Sequence, residues 1–206
     1  ISKKIFIKNK IKTPKFFTYS YDLKPSNLIK KINKKLKFPV VVKPLNEGSS
    51  VNVYICDKKN INKILKGLRN YKKIMIEEFI GGREIQVAIM GNTKLGAIEL
   101  KPKRKFYDYQ AKYDSKAKTK HIIPVELPKF KFNQLMNTAF KAHKIIGCCG
   151  VTRSDFKYFK GDFYLLEINT QPGMTRLSLV PEIALYKGIT FIKLIEWILL
   201  DASKKK

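Results

Sequence analysis

The chain has 206 residues, 44% of them apolar and 12% aromatic, and carries a formal net charge of +27. That length holds one large or two small domains with a real core, and that apolar fraction excludes a disordered chain. No apolar run approaches the roughly 18 residues of a membrane span, and residues 1–12 alternate charged with apolar groups instead of forming a signal-peptide core.

The charge invites a nucleic-acid reading, yet only five of the 43 basic residues are arginine: Arg69, Arg83, Arg104, Arg153 and Arg176. A dedicated nucleic-acid binder keeps arginine for bidentate base and phosphate contacts. The excess therefore reads first as solvated surface lysine. A lysine-rich nucleic-acid-binding module, using residues 101–120 and 204–206, is the competing reading. Cys56, Cys148 and Cys149 form no C-x-x-C pair, and an odd count fits a reducing, cytoplasmic compartment. His121 and His143 have no second ligand at metal spacing, which argues against zinc.

In chain order, "IKTPKFFTYS" (11–20) reads as a helix end, a Thr-Pro turn and a short strand. Residues 26–38 carry apolar groups at 28, 29, 32 and 36, which predicts a helix with Ser26 as its N-cap. "FPVVVKP" (38–44) is a β-branched strand ending in lysine, and "LNEGSSVNVYIC" (45–56) a polar glycine loop running into another strand. A helix over 58–70 and a strand over 72–80 with an acidic end come next. Residues 81–100 are a hairpin turning at Gly91-Asn92. Residues 101–124 lack periodicity, and so long a stretch inside a compact domain marks function. A helix (131–146), strands at 151–158 and 163–169, and helices at 180–187 and 190–200, the last capped by Thr190, complete the chain. The layout predicts an α+β fold with mainly antiparallel sheets and a boundary near residue 72, giving modules 1–71 and 72–206.

Two places carry chemistry. Glu167 and Asn169 stand two apart on a strand and so share a face, and the turn "FKGD" brings Asp155 alongside on the preceding strand. Two carboxylates and an amide oxygen suit Mg²⁺ that takes further ligands from phosphate; a surface hairpin with solvated acids is the plainer reading. Lys43 followed by "NEGSSV" (46–51) offers one cation, hydroxyls and backbone N–H groups to a triphosphate, although a plain turn is the commoner meaning. No P-loop or Rossmann glycine pattern is present. The acidic strand end "IEEFIGGRE" adds Glu77 and Glu84 as acceptors for an adenine amine and ribose hydroxyls.

In that order, "FPVVVKPLNEGSSV", "IEEFIGGREIQVAI", "FYDYQAKY", "GVTRSDF", "YLLEINTQPGMT" and "SLVPEIA" resemble D-alanine–D-alanine ligases of the ATP-grasp fold, over nearly the whole chain. Phe79 stands where an aromatic, often Trp, is usual, and Gln171 where Ser is common. The resemblance implies two modules gripping ATP between them and ligation of two D-alanines, through an acyl phosphate, for peptidoglycan precursor synthesis. Another ATP-grasp carboxylate–amine ligase is the alternative. It implies that Lys43, Glu47, Gly48, Ser49 and Ser50 hold the ATP phosphates, that Glu77 and Glu84 bind adenine and ribose, and that Phe79, Phe106 and Leu166 pack the base. Asp155, Glu167 and Asn169 would hold two Mg²⁺ ions, or Mn²⁺. Lys112 and Tyr113 would belong to a lid, while Arg153 and the backbone of Gly173 would stabilise the tetrahedral oxyanion. Ser178 and Leu179 would hold the second D-alanine. The resemblance further implies a cytoplasmic homodimer when full length. It also implies that the family's N-terminal domain, with one more ATP-contacting lysine, precedes Ile1.

Overall fold

The computed structural model describes residues 1–21, 25–48, 50–101 and 119–204. Its elements are α1 (Ser2–Lys8), β1 (Phe16–Ser20), α2 (Pro25–Lys35), β2 (Val40–Pro44), β3 (Tyr54–Cys56), α3 (Ile61–Gly67) and β4 (Lys73–Glu78). There follow β5 (Arg83–Met90), β6 (Thr93–Lys101), β7 (Lys120–Ile122), α4 (Lys129–Ile145), β8 (Val151–Phe159), β9 (Asp162–Asn169), α5 (Leu179–Tyr186) and α6 (Phe191–Ser203). They fall into two compact units. Pro14–Ile80 belong to a smaller one, and Ile1–Thr13, Gly81–Lys101 and the chain from Lys120 to a larger one.

The smaller unit holds a four-stranded antiparallel sheet in the order β1-β4-β2-β3. Alternation sends Tyr19, Val40, Val42, Ile74 and Ile76 to one face, where Leu28 and Ile32 of α2 and Ile61 and Leu65 of α3 bury them. The expected boundary at 71/72 falls instead between Ile80 and Gly81. The reason is β4, an inner strand hydrogen-bonded to both β1 and β2, which cannot leave this sheet without orphaning two ladders. Ile1–Thr13, expected in the first module, pack with the larger unit. Phe6 and Ile11 are buried in its core, and Leu165 N–H donates to Lys12 O at 2.8 Å. Helix α2 begins at Pro25, so Ser26 lies within its first turn rather than at the cap, and a proline suits that entry.

The larger unit holds a five-stranded antiparallel sheet, β7-β6-β5-β8-β9. One face, with Ile85, Val87, Phe156 and Leu165, packs on Leu135, Met136 and Ala139 of α4. The opposite face divides along its length. At one end Ala88, Met90 and Ile98 lie beneath Val180, Ile183 and Ala184 of α5 and Leu194 of α6. At the other end the same face carries charged and amide side chains.

The expected hairpin turns hold. Met90 pairs with Thr93 across Gly91-Asn92, and Gly91 at φ +58° with Asn92 at negative φ is the type II′ arrangement. Phe159 pairs with Asp162 across Lys160-Gly161, both at positive φ, as type I′ requires. Thr190 caps α6 by accepting from Lys193 N–H at 3.3 Å. Strand β7 lies in the stretch expected to be irregular; three residues on a sheet edge give too little alternation to read.

Candidate active site

On the larger unit the site is built by the β8–β9 ladder. Asp155 lies directly opposite Glu167 and Arg153 opposite Asn169, so strand alternation puts all four on one face. Next to them the register moves from Asp155↔Glu167 to Phe156↔Leu165, which leaves Leu166 as an extra residue in β9. The bulge allows Leu165 to enter the core completely while Leu166 stays half-buried.

Asp155 is only 5% exposed, and a carboxylate so placed must be paired. Arg153, two residues back on the same strand, supplies the pair as a fork: Nε donates to Oδ1 at 2.8 Å and Nη2 to Oδ2 at 3.0 Å. Along the same face Lys157 donates to Glu84 Oε2 at 2.9 Å, across the β5–β8 ladder. Gly82 sets the entry to β5. Its φ is +84°, and a Cβ there would sit 2.3 Å from Tyr158 O, so only glycine lets the strand start where Glu84 meets Lys157. Gln86, opposite Asp155 on β5, is 1% exposed, and among the described residues its Oε1 meets no hydrogen-bond donor. Among the described residues no three His, Cys, Asp or Glu side chains gather into a metal cluster. The set is two acids and an amide, all hard oxygen donors, which fits Mg²⁺ rather than a metal seeking sulfur or imidazole.

After β9 the chain turns back on itself. Ser178 N–H donates to Thr175 O at 2.9 Å, Thr175 N–H donates to Ser178 Oγ at 3.0 Å, and the two hydroxyls lie 2.9 Å apart. Gly173 closes against this turn, where a Cβ would come 3.2 Å from Ser178 Oγ. Ser178 is the first residue before α5 but leaves its helix uncapped, its hydroxyl being held by Thr175. Leu179 begins the helix and packs against the α5–α6 core.

On the smaller unit, Glu77 of β4 is 4% exposed and faces Lys43 of β2, whose Nζ donates to Oε1 at 2.8 Å. The register pairs Val41 with Glu77, so Lys43, two residues on, is the diagonal neighbour on the same face. Phe79, just beyond β4, is half-buried. In the loop after β2, Val51 N–H donates to Gly48 O at 2.9 Å, and Ser50 and Asn52 take left-handed φ of +60° and +56°. Left-handed residues interspersed in a loop turn successive N–H groups towards one side, the kind of concavity that receives anions.

The sequence-predicted residues thus fall into two groups. Lys43, Glu47, Gly48, Ser50, Glu77 and Phe79 belong to the smaller unit, and Glu84, Arg153, Asp155, Leu166, Glu167, Asn169, Gly173, Ser178 and Leu179 to the larger. Ser49, Phe106, Lys112 and Tyr113 lie outside the described residues. Sequence reasoning passed over Gln86 and Lys157. The signal was present for both: Glu84 and Gln86 alternate on one strand, as do Arg153, Asp155 and Lys157 on another.

Two antiparallel α+β units, one with a strand-end lysine and a Gly-Ser loop and the other with an oxygen-rich strand pair, are the ATP-grasp fold. Residues 8–200 match the family model described as D-ala D-ala ligase C-terminus, and the chain belongs to that family. It is 71% identical over 203 residues to a D-alanine–D-alanine ligase of Pelagibacter ubique, a match covering 98% of this chain and 67% of that protein. Among solved structures it is similar to a D-alanine–D-alanine ligase from Bacillus anthracis, with a TM-score of 0.83 at 32% identity, over 98% of this chain and 65% of that one. A Bacillus anthracis ligase complexed with ATP gives a TM-score of 0.80 at 29% identity, over 98% and 64%. The chain spans about two-thirds of the length of these relatives.

Proposed function

We propose that the full-length protein joins two D-alanines into D-alanyl-D-alanine, consuming ATP, as a step of peptidoglycan precursor synthesis. The observation that carries this reading is the β8–β9 face, where Arg153, Asp155, Glu167 and Asn169 stand in register on a chain of this family. In the reaction the γ-phosphoryl group passes from ATP to the carboxylate of the first D-alanine, releasing ADP. The amine of the second D-alanine then attacks the carbonyl carbon, loses a proton, and expels phosphate.

Each residue has a role that its chemistry supports. Lys43 and the N–H groups of the 47–51 loop receive the triphosphate, Glu77 and Glu84 accept from adenine and ribose, and Phe79 and Leu166 contact the base. Asp155, Glu167 and Asn169 would hold Mg²⁺ or Mn²⁺. Such an ion, when bound, neutralises charge on the phosphoryl oxygens. Arg153, oriented by its fork on Asp155, and the N–H of Gly173 stabilise the oxyanion that forms at the attacked carbonyl. Ser178 and Leu179 hold the second D-alanine. The family resemblance supports a homodimer and a cytoplasmic location. Among the described residues no helix is long and apolar enough to cross a membrane.

The test is product analysis with the full-length protein, Mg²⁺, ATP and D-alanine. ADP and D-alanyl-D-alanine should form in equal amounts, with little ATP turnover when D-alanine is left out. Preferred incorporation of D-serine or D-lactate as second substrate would make it a ligase of other specificity, and no turnover with any of them would overturn the reading.

A further inference from the structure

We propose that Tyr71 is a positioning residue for the phosphate-gripping loop, acting through a one-way hydrogen-bond chain that ties both ends of the loop to the core of the smaller unit. This rests on the ATP reading above and adds residues outside the loop that would set its affinity for the triphosphate. Three bonds make the chain. Tyr54 Oη donates to Asn52 Oδ1 at 3.0 Å, Asn52 Nδ2 donates to Tyr71 Oη at 2.8 Å, and Tyr71 Oη donates to Glu47 Oε1 at 3.0 Å.

The direction is fixed by proton counting. Each tyrosine hydroxyl has a single proton, and a carboxylate can only accept. Turning the Asn52 amide over would aim its oxygen at Tyr71, which would then have to withdraw its proton from Glu47. It would also leave the Tyr54 proton facing an N–H₂ group. Only this amide orientation keeps all three bonds, and bonds that run one way into a charge polarise one another.

The placement of the four residues gives the chain its purpose. Glu47 stands at the start of the loop and Asn52 at its end, with Tyr54 as the first residue of β3. Tyr71 lies outside the loop, between α3 and β4, and its ring packs against the apolar core of this unit. Its N–H donates to Leu68 O at 3.0 Å, which fixes its backbone to the end of α3. A hydroxyl carried by the core therefore reaches both ends of the loop. Asn52 is suited to the position twice, since it tolerates φ of +56° better than other side chains and its amide both accepts and donates. A loop already held in shape loses less conformational freedom when it binds a triphosphate.

The experiment compares binding of Mg·ATP and of AMP by the full-length protein and its Tyr71→Phe and Asn52→Gly variants. Tyr71→Phe keeps the packed ring and removes the hydroxyl, and Asn52→Gly frees the backbone while breaking the same chain. Each should weaken Mg·ATP about fivefold to tenfold, the scale of one or two hydrogen bonds, while AMP affinity stays within about twofold. The double variant should lose less than the sum of the two single losses, because both variants remove the Asn52–Tyr71 bond. Amide exchange at Asn52 and Tyr54 in the unliganded protein should quicken in Tyr71→Phe. Unchanged ATP affinity and unchanged exchange in Tyr71→Phe, equal losses for ATP and AMP, or additive effects would each overturn the inference. A wild type that binds neither nucleotide would overturn the ATP reading as well, so the two failures are distinguishable.

Discussion

On the four-stranded sheet the buried acid Glu77 meets a lysine from the adjoining strand, whereas on the five-stranded sheet the buried acid Asp155 meets an arginine from its own strand. The two acids are equally hidden, at 4% and 5% exposure, so the difference lies in the cation. Lys43 makes one contact through a compact ammonium on a flexible stem, and can exchange a carboxylate for a phosphate by turning that stem. Arg153 makes two parallel contacts through a planar group, which fixes both the plane of the guanidinium and the direction of the carboxylate. A point contact suits the phosphate-binding role proposed for Lys43, which requires a group that follows a nucleotide in and out. A fork suits a group whose geometry must be set before the substrate arrives.

The largest expected effect belongs to the larger unit. Asn169→Ala should lower kcat of the full-length protein by about a thousandfold, at the upper end of what loss of one electrostatic contact to the reacting centre costs. The unfolding midpoint should be near wild type, because Asn169 is the half-exposed last residue of β9. A variant that is inactive because it is unfolded would contradict this, and phosphate-release assays run beside urea titrations separate the two cases.

On the smaller unit the effect should appear in stability. Lys43→Met leaves Glu77 buried without its lysine and should cost about 3 kcal/mol, the low end for breaking a buried pair. Adding Glu77→Gln should restore most of it, which a double-mutant cycle by urea unfolding measures. Independent, additive losses would mean that the cross-strand pair is not the relevant interaction.

A smaller, pH-dependent effect lies away from both pairs. His143 of α4 is fully buried, with Nδ1 2.8 Å from Thr152 Oγ1. Burial first, and the neighbouring Lys144 charge second, lower its pKa from the ordinary 6.5. The unfolded chain therefore takes up this proton before the folded one. The stability contributed by the neutral imidazole is complete above pH 6.5 and is lost as pH falls below that value towards the folded pKa. Unfolding free energy should decline as pH falls below about 6.5, and His143→Gln should flatten that decline.

The comparison also marks where the sequence was sufficient. Glu167 and Asn169 were legible as one face by alternation, but Asp155 joins that face only through the extra residue in β9, since counting back from the two-residue turn would set it opposite Leu166. Lys43 and Glu77 were each legible, but their pairing was not. It depends on β4 inserting between β1 and β2, with β3 and α3 lying between β2 and β4 in the chain. The same insertion moved the boundary from 72 to 80. The Leu166 bulge could not be read from alternation, because one extra residue breaks the very period being used. The Tyr71–Asn52 contact joins residues nineteen apart through side chains alone, and no local pattern announces it.

The central claim is that Arg153 acts through the geometry of its fork and not through charge alone. The direct measurement is kcat for D-alanine-dependent phosphate release by Arg153→Lys, beside Lys12→Ala as a charge control. Lys12 also pairs with an acid in the larger unit, Asp162 at 2.7 Å, but both side chains are about half exposed. Arg153→Lys keeps the charge and loses the fork, so kcat should fall by at least about a hundredfold. Lys12→Ala should leave kcat at the wild-type value. A near-normal Arg153→Lys enzyme, or a crippled Lys12→Ala one, would contradict the account.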